Sequence, residues 1–388
     1  MSIAEVSRPV SPSSQSHALD LCVAKIRSNI RLLADKPTTW ALAVNGDYAA
    51  WNEGFYEIGN WTTSFFTGMA MIAFKRTGDN SFLEEAMRLE PYYQAKVGEH
   101  SADTMHDIGF LYSLYSVALY KLTGEAKHRE LALKAAEVLA DRFIPEGNYI
   151  RAWGRMDDQS SDYAGLAIID CMMNLPLLYW ASEETGDPRF KDIALRHSDT
   201  TLANFIREDD SVYHSYRFDA NGAPAGGDNY CGRGVESHWA RGATWAIYGF
   251  AMGYRYTKDE RYLDASVRMA RKFISLLDEE IVPLWDFRLD AEAPFIRDSS
   301  AAAIAVCAFQ ELETFNVADE TIRAAKTALL ERLCAPDYLD EDPAIKGVLK
   351  QGEVGDGVGK AKTAYTSWGD YYFMEALARE SGMAINWW

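Results

Sequence analysis

The 388-residue chain carries 39 Lys and Arg against 57 Asp and Glu, a formal net charge of −18. That balance argues against nucleic acid and anionic membranes as partners, since both call for a basic surface. Apolar residues make up 48% of the chain, enough for a large core, and closed toroids and barrels exceed the usual single-domain length as one unit. The N-terminal stretch MSIAEVSRPVSPSSQS is polar and lacks an apolar h-region. It reads as a short disordered lead over residues 1–16 rather than a signal peptide, ahead of one catalytic domain over 17–388. Five scattered cysteines (Cys22, Cys171, Cys231, Cys307, Cys334) form no CxxC pair, so neither a disulfide framework nor a structural zinc site is indicated. No apolar run reaches membrane-spanning length. The expectation is a soluble cytoplasmic protein, monomer or homodimer.

From about Ala18 onward helical periodicity dominates. Leu131, Ala135, Val138 and Leu139 share one face of one segment, and Val267, Ala270, Ile274 and Leu277 share one face of another. Strand-like alternation is scarce. A degenerate repeat is more informative: FKRTGDNSFLEEA, YKLTGEAKHRELA, ASEETGDPRFKDIA and YRYTKDERYLDAS, centred on Thr77, Thr123, Thr185 and Thr257. Glycine just past a helix end followed by an acidic residue punctuates one helix and opens the next. Four such helical hairpins point to an all-α solenoid or closed α/α toroid, and six hairpins would close it. The loops following the inner helices are where chemistry is expected; the longest irregular stretches run over 145–161 and 209–237.

Several residues along the chain could carry chemistry. Trp61 in NWTTSFFTGM and Trp153 in YIRAWGRMDD have polar or glycine neighbours, which favours partly exposed rings over core packing. Asp107 in DTMHDIGF lies near a helix start, where a first-turn acid also suits the helix dipole, and His106 beside it has no partner at metal-ligand spacing. Asp170 stands in the apolar run AGLAIIDCMMNLPLLYW. It is either a helix N-cap or a carboxyl kept protonated by desolvation, as a general acid requires. In HWARGATWAIYGF the spacing puts Arg241 within a turn of Trp239 and Trp245, an arrangement for a carboxylate beside a sugar face or for a structural cation–π stack. Asp298 in RDSSAAAIAVC reads as the N-cap of the next helix. No nucleophile elbow, HExxH or phosphate loop occurs, which leaves carboxylates as the catalysts on offer.

WTTSFFTGM, HDIGF, IIDCMMNLPLLYWAS, HWARGATWAIYGF, RDSSAAAIAVC and SWGDYYFMEAL, in that order from Trp61 to the segment around Trp368, together resemble the unsaturated glucuronyl hydrolases, glycoside hydrolase family 88. The resemblance implies an (α/α)6 toroid that hydrolyses without a metal or organic cofactor. The substrates it implies are di- or oligosaccharides carrying a terminal 4,5-unsaturated uronic acid. Matched by position, Asp170 corresponds to the general acid/base and Asp107 to its assisting aspartate. Trp61, His106, Trp153, His214, Arg241 and Trp245 correspond to positions lining the sugar pocket. Arg241 is expected to contact an anionic or polar group of the substrate.

The chain departs from the family pattern before HWARGATW. A His–Gln pair, a Gly and two acidic residues are expected there, and the chain reads Tyr230-Cys231-Gly232-Arg233-Gly234-Val235-Glu236. Near the C-terminus, a Ser-x-x-Ser-x-Lys element of some relatives is replaced by Gly357-Val-Gly-Lys360-Ala-Lys362. Arg233, Lys360 and Lys362 are therefore candidates for contacting a neighbouring acidic or sulfated sugar, and Tyr230 is a further candidate for binding substrate. Competing readings are an unsaturated rhamnogalacturonyl hydrolase, a sugar 2-epimerase working through histidines, and a non-catalytic helical scaffold.

Overall fold

In the computed structural model, which describes residues 12–35, 42–43, 61–355 and 361–388, the threonine-centred punctuation forms one recurring turn. In each copy the threonine hydroxyl (Thr77, Thr123, Thr185, Thr257) donates to the carbonyl four residues back at 2.7–2.8 Å. It also accepts the amide two residues on at 3.1–3.2 Å. The residue between is left-handed, with φ of 72°, 73° and 74° at Gly78, Gly124 and Gly186. Glycine is suited there because a Cβ in this region costs about 1–2 kcal/mol; Lys258 takes the position in the fourth copy at φ 59°. Asp79, Asp187 and Asp259 then cap the following helix by accepting an amide two residues on. A fifth hairpin turns on Asn316 at φ 60°, capped by Asp319, without the threonine that marks the others.

The helices are α1 (Pro12–Asp35), α2 (Thr63–Thr77), α3 (Ser81–Met87), α4 (Glu90–Val97), α5 (Ile108–Tyr112), α6 (Ala118–Thr123), α7 (Ala126–Ala140), α8 (Pro176–Thr185), α9 (Pro188–Asn204), α10 (Ala240–Thr257), α11 (Glu260–Ser275), α12 (Ser299–Thr314), α13 (Glu320–Leu333) and α14 (Ser367–Glu380). A π-helical turn, Ser113–Val117, joins α5 to α6 as one rod. Six rods form the inner ring: α2, α5–α6, α8, α10, α12 and α14. Each packs on the next, and α14 returns to α2 to close the ring. Inner helices are apolar all round; α12 buries every residue from Ser299 to Leu312. Outer helices α1, α3–α4, α7, α9, α11 and α13 are amphipathic and cover them. The result is an (α/α)6 toroid, as the sequence leads one to expect. Residues 12–16, placed in the disordered lead, belong to α1; residues 1–11 lie outside the described residues.

Only the short hairpin turns follow the inner helices. The long segments instead lead from outer helices into the N-terminal ends of inner ones, a reversal of the placement expected from sequence. These segments also hold short strands that period-two alternation does not reveal. They are β1 (Leu42–Ala43), β2 (Phe143–Ile144), β3 (Tyr149–Ile150), β4 (Leu166–Ile168), β5 (Ser215–Phe218), β6 (Pro224–Asp228), β7 (Gly352–Gly355) and β8 (Ala361–Thr366). They pair as β1-β8-β7, β2-β3 and β4-β5-β6.

Candidate active site

A cavity of about 450 Å³ opens at the end of the toroid where inner helices begin. Trp61, His106, Asp107, Trp153, Asp170, His214 and Arg241, all positions of the family resemblance, line it together with Tyr230, from the stretch that departs from the family pattern, and with Tyr163, Trp239 and Trp368. Trp61 and Trp153 are half-buried, with rings available to the cavity. Trp61 leans on Trp368 at a ring separation of 4.8 Å.

Asp170 follows strand β4, on the first turn of a short 3-10 helix, Ile169–Met173. It is not an N-cap; Ile168 occupies that position. Its Oδ1 is shut away without a hydrogen-bond partner, whereas the residue as a whole is half-buried and faces the cavity. Burial pushes its pKa up to about 7, against the opposing pull of the Arg241 guanidinium. A carboxyl so placed holds a proton near neutrality. Asp107 occupies the N-cap position of α5, yet its side chain caps nothing; one oxygen lies 3.5 Å from His106 Nε2.

The two aspartates are brought to one cavity by Asn174. Its Oδ1 accepts the amide of Phe110 at 2.7 Å, and its Nδ2 donates to the carbonyl of Asp170 at 3.1 Å. The approach requires Gly109: a Cβ there would lie 2.3 Å from the Asn174 Cα. Strand pairing ties the Asp170 turn to His214 as well, with the Ile169 amide donating to the His214 carbonyl at 3.0 Å. His214 Nδ1 accepts the amides of Tyr230 and Cys231 at 3.0 and 3.2 Å, which places the ring proton on Nε2. Burial lowers the pKa of His214 to about 3 and that of His106 well below the ordinary value, so both rings are neutral. Neutral imidazoles can donate to sugar hydroxyls without adding charge beside Asp170.

Arg142, absent from the sequence reading, latches two site loops together. Fully buried, it donates to the carbonyls of Thr104 (2.6 Å), Arg151 (2.9 Å), Ala152 (3.2 Å) and Gly154 (3.0 Å). The loop before Asp107 is thereby fixed to the loop carrying Trp153. Burial lowers its pKa to about 10, still far above neutrality.

Arg241 lies in the first turn of α10, with its guanidinium 4.6 and 5.2 Å from the rings of Trp239 and Trp368. It is both a cavity-lining and a structural cation: Nη1 lies 2.9 Å from Asp298 Oδ2 and 3.0 Å from Glu353 Oε2. Asp298 also caps α12 through the Ser300 amide at 3.0 Å, the role its sequence context indicates. Trp245 is a correction. One helical turn below Arg241, it is fully buried against Phe110 and Tyr372 and does not reach the cavity. Arg233 also lies outside the cavity lining, with Nε and Nη2 held by Asp290 at 2.9 and 3.1 Å. Lys362 is exposed on β8, in register with the cavity-lining Val354, and Lys360 lies outside the described residues. Among the described residues no His, Cys, Asp and Glu side chains are grouped as metal ligands, and no helix is long and apolar enough to cross a membrane.

Two carboxyls at the mouth of the inner ring, walled by indoles, suit acid–base chemistry on a sugar, the work of a glycoside hydrolase. Residues 27–378 match the model of Glycosyl Hydrolase Family 88, and the chain belongs to that family. It is 35% identical over 342 residues to the unsaturated glucuronyl hydrolase of Bacillus sp. (strain GL1), covering 84% of this chain and 88% of that protein. It is 35% identical over 371 residues to the unsaturated chondroitin disaccharide hydrolase of Streptococcus pyogenes serotype M1, covering 94% and 90%. The crystal structure of an unsaturated glucuronyl hydrolase from Bacillus sp. GL1 superposes with a TM-score of 0.86 at 33% identity, covering 96% of this chain and 99% of that one.

Proposed function

We propose that this chain releases the 4,5-unsaturated uronic acid from the non-reducing end of di- or oligosaccharides left by polysaccharide lyases. The observation that carries the reading is the carboxyl of Asp170, which keeps a proton near neutrality within one indole-walled cavity shared with Asp107. The cavity volume suits one or two sugar rings. The net charge of −18 opposes a long polyanion, but a short product with one or a few carboxylates is repelled weakly once separations exceed the screening length of ~10 Å.

The unsaturated sugar is a vinyl ether, with C4=C5 conjugated to the ring oxygen. Asp170 gives its proton to C4, and positive charge develops on C5 and the ring oxygen. The resulting carboxylate takes a proton from water as that water adds to C5. The hemiketal opens to a C5 ketone, and the hemiacetal left at C1 expels the saccharide. One carboxyl serves as acid and then base because the first step makes it a base. The spacing rule for inverting and retaining glycosidases does not govern this route, since C1 is not attacked. Asp107, a second carboxyl lining the same cavity, stands as the assisting group of Asp170. None of the five cysteines is joined in a disulfide, which supports action in a reducing compartment.

Unsaturated disaccharides from chondroitin, hyaluronan, heparin, gellan and pectin test the proposal. Loss of the ultraviolet absorbance of the C4=C5 bond is expected with at least one glucuronyl substrate. Turnover of the rhamnogalacturonyl substrate alone would reassign the chain to pectin breakdown, and no turnover of any would overturn the reading.

A further inference from the structure

Behind Arg241 sits a buried acidic pair that outnumbers it. Asp298 and Glu353 are both fully buried, and between them they hold one guanidinium. They are not equivalent. Asp298 accepts the Ser300 amide (3.0 Å), the Ser300 hydroxyl (2.5 Å), the Glu353 amide (3.2 Å) and Arg241 Nη1 (2.9 Å), so both of its oxygens are engaged by donors. Glu353 Oε2 faces Arg241 and a long contact from Trp239 Nε1 at 3.4 Å, while Oε1 is buried with no partner at all. The orphaned Oε1 makes Glu353 the member of the pair with room for a proton. Burial, then the neighbouring Asp298 charge, raise its pKa to about 7 against the pull of Arg241.

We infer that Glu353 is a positioning residue for the reaction: as the variable counter-ion of Arg241, it decides how strongly that guanidinium acts on Asp170. Arg241 favours the ionised form of Asp170, since a cation stabilises a nearby anion. When Glu353 ionises, the cluster of Arg241, Asp298 and Glu353 passes from neutral to a net negative charge. Its pull on Asp170 falls, and Asp170 retains its proton to higher pH. The other titratable groups around Asp170 do not share this behaviour. His106 and His214 are neutral, and burial drives the Cys171 thiol and Tyr372 phenol upward, so both keep their protons. Asp107 shares the cavity, and Cys231 faces Arg241 from the loop before α10. The arrangement buffers the acid: in the pH range where Asp170 would lose its proton, Glu353 loses one too and opposes the loss.

The inference rests on the hydrolase reading, and the test separates the two. Glu353→Gln keeps the shape and the Arg241 contact but cannot become negative. Profiles of kcat against pH for wild type and Glu353→Gln should show the alkaline limb displaced toward acid. The ratio of kcat at about pH 8 to that at about pH 5.5 should fall by roughly 3- to 10-fold, a displacement of about half to one pH unit. In parallel, infrared titration of the protonated-carboxyl band, assigned by its loss in Asp170→Asn, should show Asp170 ionising at lower pH in the variant. An Asp170 band that titrates identically in folded wild type and Glu353→Gln would overturn the inference, even if the variant were inactive. Wild-type inactivity on every unsaturated disaccharide would overturn the hydrolase reading instead, leaving the infrared result to decide the coupling.

Discussion

At one end of the toroid the turns at residues 77–79, 123–125, 185–187 and 257–259 are each held by bonds spanning two to four positions. At the other end, Phe110 meets Asn174 across 64 positions and Arg241 meets the Glu353 carbonyl across 112. The first end is a local matter: a threonine, a left-handed residue and an acid suffice, and they repeat because each hairpin faces the same problem. The second end repeats nothing. Five of the six inner rods bring a side chain from their starts to one cavity: Trp61, Asp107, Asp170, Arg241 and Trp368. Stability can thus be perturbed at one end and chemistry at the other, and four experiments probe that separation.

The largest effect belongs to Asp170→Asn. An amide fills the same space but supplies no proton, so kcat should fall by about 10²–10⁴-fold with the fold retained. Circular dichroism and turnover of an unsaturated disaccharide check this, and near-wild-type turnover would remove Asp170 from its role. Next is Gly109→Ala, whose Cβ would meet the Asn174 backbone at 2.3 Å. Forcing α5 away from the Asp170 turn should lower both thermal stability and kcat. If stability dropped while kcat per folded molecule held, Asn174 would be no more than a packing contact.

A third experiment uses pH. The folded pKa of Asp170 is raised to about 7, above the ordinary carboxyl value near 3.9, so the acid form persists below about 7 and kcat should decline above it. The same shift bears on stability. The folded state holds a proton that the unfolded chain has released, so this residue's contribution declines as pH rises from about 4 through about 7. Asp170→Asn lacks that loss, and its melting temperature should gain on wild type as pH rises across this range. A difference in melting temperature independent of pH would contradict the assignment. The smallest effect is expected at the turn end. Gly186→Ala puts a Cβ on a residue at φ 74°, which should cost about 1–2 kcal/mol in denaturant unfolding while kcat and KM stay unchanged.

The same contrast explains what could be read from the residues alone. The hairpin repeat was legible because its cause lies within a few positions, although the fifth turn escaped notice when Asn316 replaced the Thr-Gly pair. Asp170 stood out as a carboxyl in an apolar run. Trp245 was misplaced because i,i+4 spacing fixes a helix face but not a depth. Four residues lower an indole by ~6 Å along α10, enough to carry it from the cavity wall into the core. Periodicity does not tell which end of a hairpin opens, so it does not reveal that the site lies before the inner helices rather than after them. Arg142 and Glu353 left no signal: the carbonyls that hold the one and the ion pair that defines the other exist only once the loops have met.

Central to all of this is the transfer of a proton from Asp170 to C4 of the unsaturated sugar. Turnover in D2O, read early by proton NMR, addresses it most directly. The account predicts a single deuterium delivered to one face of C4, with the double bond lost no later than the saccharide is freed, and no such product from Asp170→Asn. Release of the saccharide while C4=C5 survives in the first-formed uronate would show attack at C1 and contradict the account.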